Sequence, residues 1–140
     1  MSCEFYTNQS VQPLGFQEGG TSGSFVYGDL VKTDSAGQIE LGTTGVAIGI
    51  ARGSYTGTQG TAVQVSLING IDIYAMPCST TTAQSMVGTV GAITYTAGAQ
   101  YITSGSGSEV VIVGLHPADT VGTSGGRLLF RFLMAGMAAR

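Results

Sequence analysis

Alternating apolar and polar residues predict three short strands between residues 28 and 51. Leu30, Val31 and Lys32 lead into a small turn at 33–37, and residues 38–41 return with the period-2 alternation of a half-buried strand. The next run, 46–51 (VAIGIA), is apolar on both faces and predicts a core strand. Because a short meander cannot bury its own apolar face, the rest of the chain must supply a second wall.

The same layout returns in the second half of the chain. Residues 91–102 again read as a strand, a small-residue turn and a strand, and a Gly/Ser loop at 104–108 leads into an apolar run at 110–115. This order parallels residues 29–39 followed by 46–50. Two copies do not make a solenoid, so we expect two related halves that close one barrel or sandwich.

Further strands are predicted at 24–27, 61–67, 71–76 and 127–134. Asn69-Gly70 predicts a type I′ hairpin turn between two of these strands, because both residues tolerate positive φ. The loop at 52–60 is long and glycine-punctuated, and we expect it to project from the body.

This spacing of short strands, with no convincing amphipathic helix, predicts an all-β fold. The expected architecture is a compact antiparallel β-sandwich or β-barrel, jelly-roll-like, with an extended N-terminal arm.

The N-terminal residues 1–23 are polar and turn-rich, whereas residues 24–140 carry the strands of a single β-domain. Four apolar side chains could anchor the N-terminal segment: Phe5, Tyr6, Leu14 and Phe16. Two interpretations stay open. The segment is either an arm that lies on a partner or a loose first edge strand of the same domain.

Composition favours a protein that works in an assembly. Glycine contributes 23 of the 140 residues and charged residues only 9 %, against about 7 % and about 25 % in an average globular domain. The length fits one domain with its own core. A surface with so few charges is built from neutral polar and apolar atoms, which favours association.

The charge pattern excludes some classes of partner. The net charge is −3, and among the five basic residues only Arg127 and Arg131 lie close together. Without a basic stripe we expect no nucleic-acid binding. No apolar run approaches the roughly 20 residues of a membrane span, and the first ten residues lack the pattern of a signal peptide. We therefore expect a soluble protein made in a cytoplasm, without a membrane partner.

Cys3 and Cys78 are the two cysteines of the chain. They could form a disulfide only if the N-terminus folds back onto the domain. Two unpaired thiols in a reducing compartment are the favoured interpretation.

Residues for catalysis or metal binding are few. The single histidine, His116, precedes Pro117 and lies three residues before Asp119, and the chain has no Gly-x-Ser-x-Gly nucleophile motif. A turn histidine is therefore favoured over a catalytic base. No zinc, calcium or phosphate-loop spacing is present. We expect no catalytic, cofactor-binding or metal-binding residues and no cofactor.

Phe130 and Phe132 lie two residues apart and share one face of the last predicted strand. Core packing is the simpler interpretation, and a subunit interface is the second.

The layout of residues 24–76 resembles the capsid decoration, or cement, proteins of tailed bacteriophages. The resemblance lies in a Gly-Asp-Leu-Val strand, a small turn and short strand, the Val-Ala-Ile-Gly-Ile-Ala strand, and a Val-Gln-Val strand leading to Asn-Gly-Ile. It implies a compact, commonly trimeric β-domain at local threefold positions of the outer capsid surface. It also implies an N-terminal arm over the seams of the major capsid protein.

The expected function is therefore that of a non-enzymatic structural protein of the virion, a homotrimer bound to the major capsid protein. The candidate capsid or subunit contacts are Phe5, Tyr6, Leu14, Phe16, Phe130 and Phe132. One alternative is a tail-associated or receptor-binding β-module that presents loops 52–60 and 122–126 to a ligand. Another is an enzyme of unknown type that uses His116 and Asp119.

Overall fold

Eleven strands and one 3-10 turn (Gln84–Met86) make up the regular structure in a computed structural model that describes residues 3–5, 14–19, 24–43, 47–134 and 137. The strands are β1 (Glu4–Phe5), β2 (Leu14–Gln17), β3 (Leu30–Thr33), β4 (Ile39–Leu41), β5 (Gly49–Ala51), β6 (Ala62–Leu67), β7 (Tyr74–Pro77), β8 (Val90–Thr94), β9 (Tyr101–Ser104), β10 (Val110–Leu115) and β11 (Arg127–Phe132). The predicted all-β class is confirmed. Among the described residues no helix is long and apolar enough to cross a membrane.

The strands form two antiparallel sheets that pack together, so the predicted β-sandwich is confirmed. The first sheet has the order β2-β6-β5-β3-β4, and the second has the order β1-β7-β11-β10-β8-β9. Apart from β1, each sheet takes its strands from one half of the chain. The strands therefore do not alternate between the sheets as they do in a jelly roll.

The two sheets have the same connectivity. If β2–β6 and β7–β11 are each numbered from one to five, both sheets read one-five-four-two-three. The predicted relation between the two halves is therefore confirmed, and it extends to all five strands of each half.

In each half, a single parallel bridge joins the residue after the first strand to the third strand. Glu18, directly after β2, bridges Ile39 of β4, and Cys78, directly after β7, bridges Ile102 of β9. The backbone N–H of Gly19 donates to Ile39 O, and that of Ser79 donates to Ile102 O, both at 2.8 Å. The two halves thus close at equivalent positions.

Each half has its own apolar cluster on the inward face of its sheet. The first cluster contains Phe25, Val31, Ile39, Ile48, Ala51, Val63 and Val65. The second contains Tyr74, Met76, Ile93, Ile102, Val110, Ile112, Leu128, Phe130 and Phe132, joined by Cys3, Leu30, Ala47, Ile50 and Cys78.

The first two residues of β3 and all of β5 are buried on both faces. Consecutive side chains of a strand point to opposite faces, so Val31 enters the first cluster and its neighbour Leu30 the second. Likewise, Ala51 enters the first cluster and Ile50 the second. This explains why residues 47–51 are apolar throughout, and the predicted core strand is confirmed over Gly49–Ala51.

Polar bonds join the loop after β8 to the first half. The buried side chain of Gln100 accepts from Leu30 N–H at 2.7 Å and donates to Leu30 O at 3.2 Å. The buried carboxylate of Asp29 accepts from Gly98 N–H at 3.0 Å. These bonds satisfy polar groups of Asp29 and Leu30 at the beginning of β3. Without partners, such groups would be costly to bury between the halves.

The predicted hairpin at Asn69-Gly70 is wrong, because β6 and β7 belong to different sheets. The Asn69 side-chain oxygen accepts from the N–H groups of Ile71 and Asp72 at 2.8 and 2.7 Å, which makes an Asx-type turn. Gly70 is not among the glycines with positive φ, as a type I′ turn would require. The turn therefore carries the chain from one half to the other.

The predicted strand at 24–27 is also absent. Residues 24–26 have no regular structure, and Tyr27 and Gly28 form a turn. Phe25 is nevertheless buried in the first cluster, where its ring lies 5.8 Å from that of Tyr55. Burial of Phe25 and the hydrogen bond from Tyr55 N–H to Phe25 O at 2.8 Å, rather than strand pairing, hold this segment in place.

Candidate interaction surface

The described parts of the N-terminal segment belong to the two sheets. Strand β1 pairs with β7, and β2 pairs with β6. Cys3 and Glu18 are buried. Of the two interpretations of residues 1–23, these parts follow the edge strand. Tyr6 and the side chain of Phe5 lie outside the described residues.

The remaining candidate contacts divide between surface and core. Leu14 is 47 % exposed on β2, and Phe16 packs against the first cluster. Phe130 and Phe132 are 0 % and 2 % exposed, and the Phe132 ring lies 5.0 Å from that of Tyr74 in an edge-to-face contact. Core packing is therefore the observed role of Phe130 and Phe132. Side chains buried this deeply offer no surface to another molecule, so their assignment as contacts is corrected.

An apolar strip that the sequence interpretation missed lies on the outer face of the second sheet. Val90 of β8 lies directly opposite Val111 of β10, and Val113 lies two residues further along β10, at its bulge. Val90 and Val113 are 40 % and 37 % exposed. We call these three residues the valine strip. The sequence did not show which of these valines are exposed, because residues 110–115 form one continuous apolar run.

The His116–Asp119 segment is a turn that anchors Arg127. The Asp119 carboxylate accepts from the backbone N–H, Nε and Nη2 of Arg127 at 2.8, 2.9 and 3.0 Å. Arg127 Nη1 also contacts the Glu4 carboxylate of β1 at 3.3 Å. His116 Nδ1 accepts from Ala118 N–H at 3.1 Å. The polar atoms of this segment thus hold β1, β11 and the turn together.

Asp119→Asn tests the ion pair through its pH dependence. The Arg127 side-chain and backbone hydrogen bonds hold the pKa of Asp119 at about 2, below its ordinary 3.8. A carboxyl group with a lowered pKa stabilises the fold above its unfolded pKa and loses that contribution as the pH falls through its folded pKa. At pH 7 we expect the variant to be less stable by about 1 kcal/mol or less, since the pair is solvent-screened.

The measurement is the melting temperature of both proteins between pH 7 and pH 2. The difference between them should close as the pH falls from about 4 to about 2. A difference that stays constant down to pH 2 would contradict the role of the Asp119 charge.

Two cavities on the described surface are candidate ligand sites. One has a volume of about 260 Å³ and is lined by Cys3, Glu4, Tyr27, Gly28, Ile50 and Arg52. The other, of about 250 Å³, is lined by Pro77, Asp119, Thr123, Gly125, Gly126 and Arg127. Both are smaller than typical ligand pockets of about 300 to 1,000 Å³.

The polar groups of both cavities are used for structure. In the first, the Arg52 guanidinium donates to Ser66 Oγ at 2.8 Å and to Tyr27 Oη at 3.2 Å. In the second, Asp119 and Arg127 form the ion pair described above. Within the described ranges no three His, Cys, Asp or Glu side chains are grouped so that they could hold a metal ion.

Both cysteines are buried and unpaired. The N-terminus does fold back onto the domain, since β1 pairs with β7, yet Cys3 and Cys78 remain free thiols as favoured. Burial, and to a lesser extent the neighbouring Glu4 charge, raises the pKa of the Cys3 thiol. A protonated, enclosed thiol is a poor nucleophile.

The two loops proposed for ligand binding are fastened to the body. In loop 52–60, Thr56 N–H donates to the Glu18 carboxylate at 2.9 Å, and Tyr55 packs against the first cluster. In loop 122–126, Gly125 N–H donates to Thr80 O at 3.0 Å. The expectation that loop 52–60 projects is therefore wrong, because its aromatic residue and its backbone both find partners in the first half.

Compared with known proteins, the chain matches no protein-family model, no curated protein and no solved structure.

Proposed function

We propose that this protein is a non-enzymatic structural component of a phage virion. It binds the outer surface of the capsid and stabilises contacts between subunits of the major capsid protein. The observation that carries the proposal is the valine strip, because exposed apolar side chains grouped on regular strands mark protein–protein contact sites. The low charge of the chain, 9 %, adds to this, since neutral surfaces favour association.

The layout behind the resemblance to capsid decoration proteins supports the same proposal. The strands predicted within residues 30–67 correspond to β3, β4, β5 and β6. The resemblance further leads us to propose a homotrimer at the local threefold positions of the shell.

Such a protein acts mechanically, and its contacts are individually modest. Full burial of a valine contributes about 1.5 to 3 kcal/mol, and ordering and desolvation offset part of it. Repetition of the contact around a symmetric oligomer raises the overall binding strength by avidity.

Val113→Asp tests the valine strip as the capsid contact. A carboxylate in an apolar contact would be buried without a partner, so we expect binding to capsids to fall by about tenfold or more. The measurement is co-sedimentation of the purified protein with undecorated phage capsids, together with its mass in solution.

Val121→Asp is the matched control, because Val121 is an exposed valine outside the strip. It should bind as the unchanged protein does, and both variants should keep their circular dichroism spectrum and melting temperature. Equal binding of the two variants would remove the strip from the contact. Failure of the unchanged protein to bind capsids would refute the proposed function.

A further inference from the structure

Strands β2 and β7 occupy equivalent positions in the two halves. Each is the first strand of its half, and each is followed directly by the residue of the closing bridge, Glu18 or Cys78. Leu14 precedes Glu18 by the same number of residues as Tyr74 precedes Cys78. Leu14 is therefore equivalent to Tyr74, and Gly15 is equivalent to Ala75.

The hydrogen-bond directions of the two strands also agree. Glu18 N–H donates to Thr61 O beside β6, and Cys78 N–H donates to Gly126 O beside β11. Because the backbone groups of a strand point alternately to its two sides, those of Gly15 and Ala75 both point to the outer edge.

The outer edge of β7 is covered by β1, whereas the outer edge of β2 has no partner strand among the described residues. Strand β1 pairs with β7, with Glu4 opposite Ala75 and Phe5 opposite Tyr74, and Tyr74 is 0 % exposed. Among the described residues no strand pairs with the outer edge of β2 at Leu14 and Gly15. Leu14 is 47 % exposed, and a Cβ atom added to Gly15 would meet nothing within 4 Å.

We propose that the outer edge of β2 accepts an extended, antiparallel segment of the major capsid protein, in the place that β1 occupies on β7. The Gly15 N–H and C=O groups pair with the backbone of this segment, and an apolar side chain lies opposite Leu14. The β2 sequence, LGFQ, carries no charge, so the segment needs no charged residue opposite it. The inference rests on the proposed function and names the partner surface more closely.

A second copy of the chain fits this edge less well. Antiparallel pairing of two β2 strands about a twofold axis at Gly15 would place Gly15 opposite Gly15. Cross-strand side-chain pairs stabilise sheets, and a glycine pair has none. A foreign segment can instead place a side chain in the open space beside Gly15.

Gly15→Pro and Gly15→Ala form a matched test of the edge. Proline removes the outward N–H and leaves the bonds between β2 and β6, which use Leu14 and Phe16, in place. Alanine keeps the N–H and meets no neighbouring atom. We expect Gly15→Ala to co-sediment with undecorated phage capsids as the unchanged protein does, and Gly15→Pro to bind roughly tenfold more weakly.

Each other outcome overturns the inference in a distinguishable way. Equal binding of both variants would reject the edge while leaving the proposed function intact. No binding by any of the proteins would reject the proposed function and this partner together. A larger mass in solution for Gly15→Ala than for Gly15→Pro, without capsids, would assign the edge to a second copy.

Leu14→Asp provides the same test if Gly15→Pro does not fold. Its side chain is half-exposed, so the variant should keep the melting temperature and lose capsid binding. Unchanged capsid binding would again reject the edge.

Discussion

A protein that lacks residues 1–23 is expected to lose cooperative unfolding. The deletion removes an edge strand from each sheet, the closing bridge between Glu18 and Ile39, and Cys3 from the second cluster. It also exposes the part of the first cluster that Phe16 covers. Each buried apolar side chain contributes about 1.5 to 3 kcal/mol. Losses at several places therefore approach the free energy of unfolding of a whole domain, about 5 to 15 kcal/mol.

Calorimetry and near-ultraviolet circular dichroism measure this result. We expect a weak or absent heat-absorption peak and a loss of the fixed aromatic signal in the truncated protein. Leu14→Ala is the control within the same segment, since a half-exposed side chain should change stability by only about 0.5 kcal/mol. A truncated protein that melts cooperatively near the temperature of the full chain would restore the interpretation of residues 1–23 as an external arm.

Phe130→Ala is expected to lower the free energy of unfolding by about 3 to 5 kcal/mol, the cost of a large cavity in a core. The Phe130 ring is fully buried, and its centre lies 5.2 Å from that of Phe132 and 5.9 Å from that of Tyr74. These aromatic contacts add to the loss. Urea denaturation measures the change, and the melting temperature should fall by roughly 10 °C or more.

Val121→Ala serves as the exposed control for Phe130→Ala and should leave the urea midpoint almost unchanged. The comparison also separates core packing from an interface role. If Phe130→Ala changed the mass of the protein in solution but its unfolding by less than about 1 kcal/mol, Phe130 would belong to a subunit contact.

The strands were the most predictable part of the fold, since their signal is local. Period-2 alternation located β4 and β6, and the apolar run at 110–115 coincides with β10. The repeated layout also anticipated the two halves. Each of these signals is contained in the residues that form the element.

The failed predictions share a different cause. Asn69-Gly70 is typical of a hairpin, but its turn type depends on whether the next strand joins the same sheet. The strand predicted at 24–27 and the projecting loop at 52–60 were wrong for a related reason, because Phe25 and Tyr55 pack against each other across 30 residues. Contacts between distant residues leave no local pattern in a single sequence.

The candidate surface was predictable only in part. The shared face of Phe130 and Phe132 followed from their spacing, but whether that face points to a core or to a partner depends on the opposite sheet. The valine strip depends on the register between β8 and β10, which places Val90 beside Val111. Register in a glycine-rich chain is weakly specified by local sequence.

By itself the sequence determined the all-β class, the position of most strands and the likeness of the two halves, because alternation and turn residues act over a few neighbours. Only the tertiary structure decided that each half closes on itself, that β1 covers β7, and that the equivalent edge of β2 is left uncovered among the described residues. These features arise from backbone pairing between segments far apart in the chain. Such pairing uses the same N–H and C=O groups at every residue, so side-chain pattern alone does not specify it.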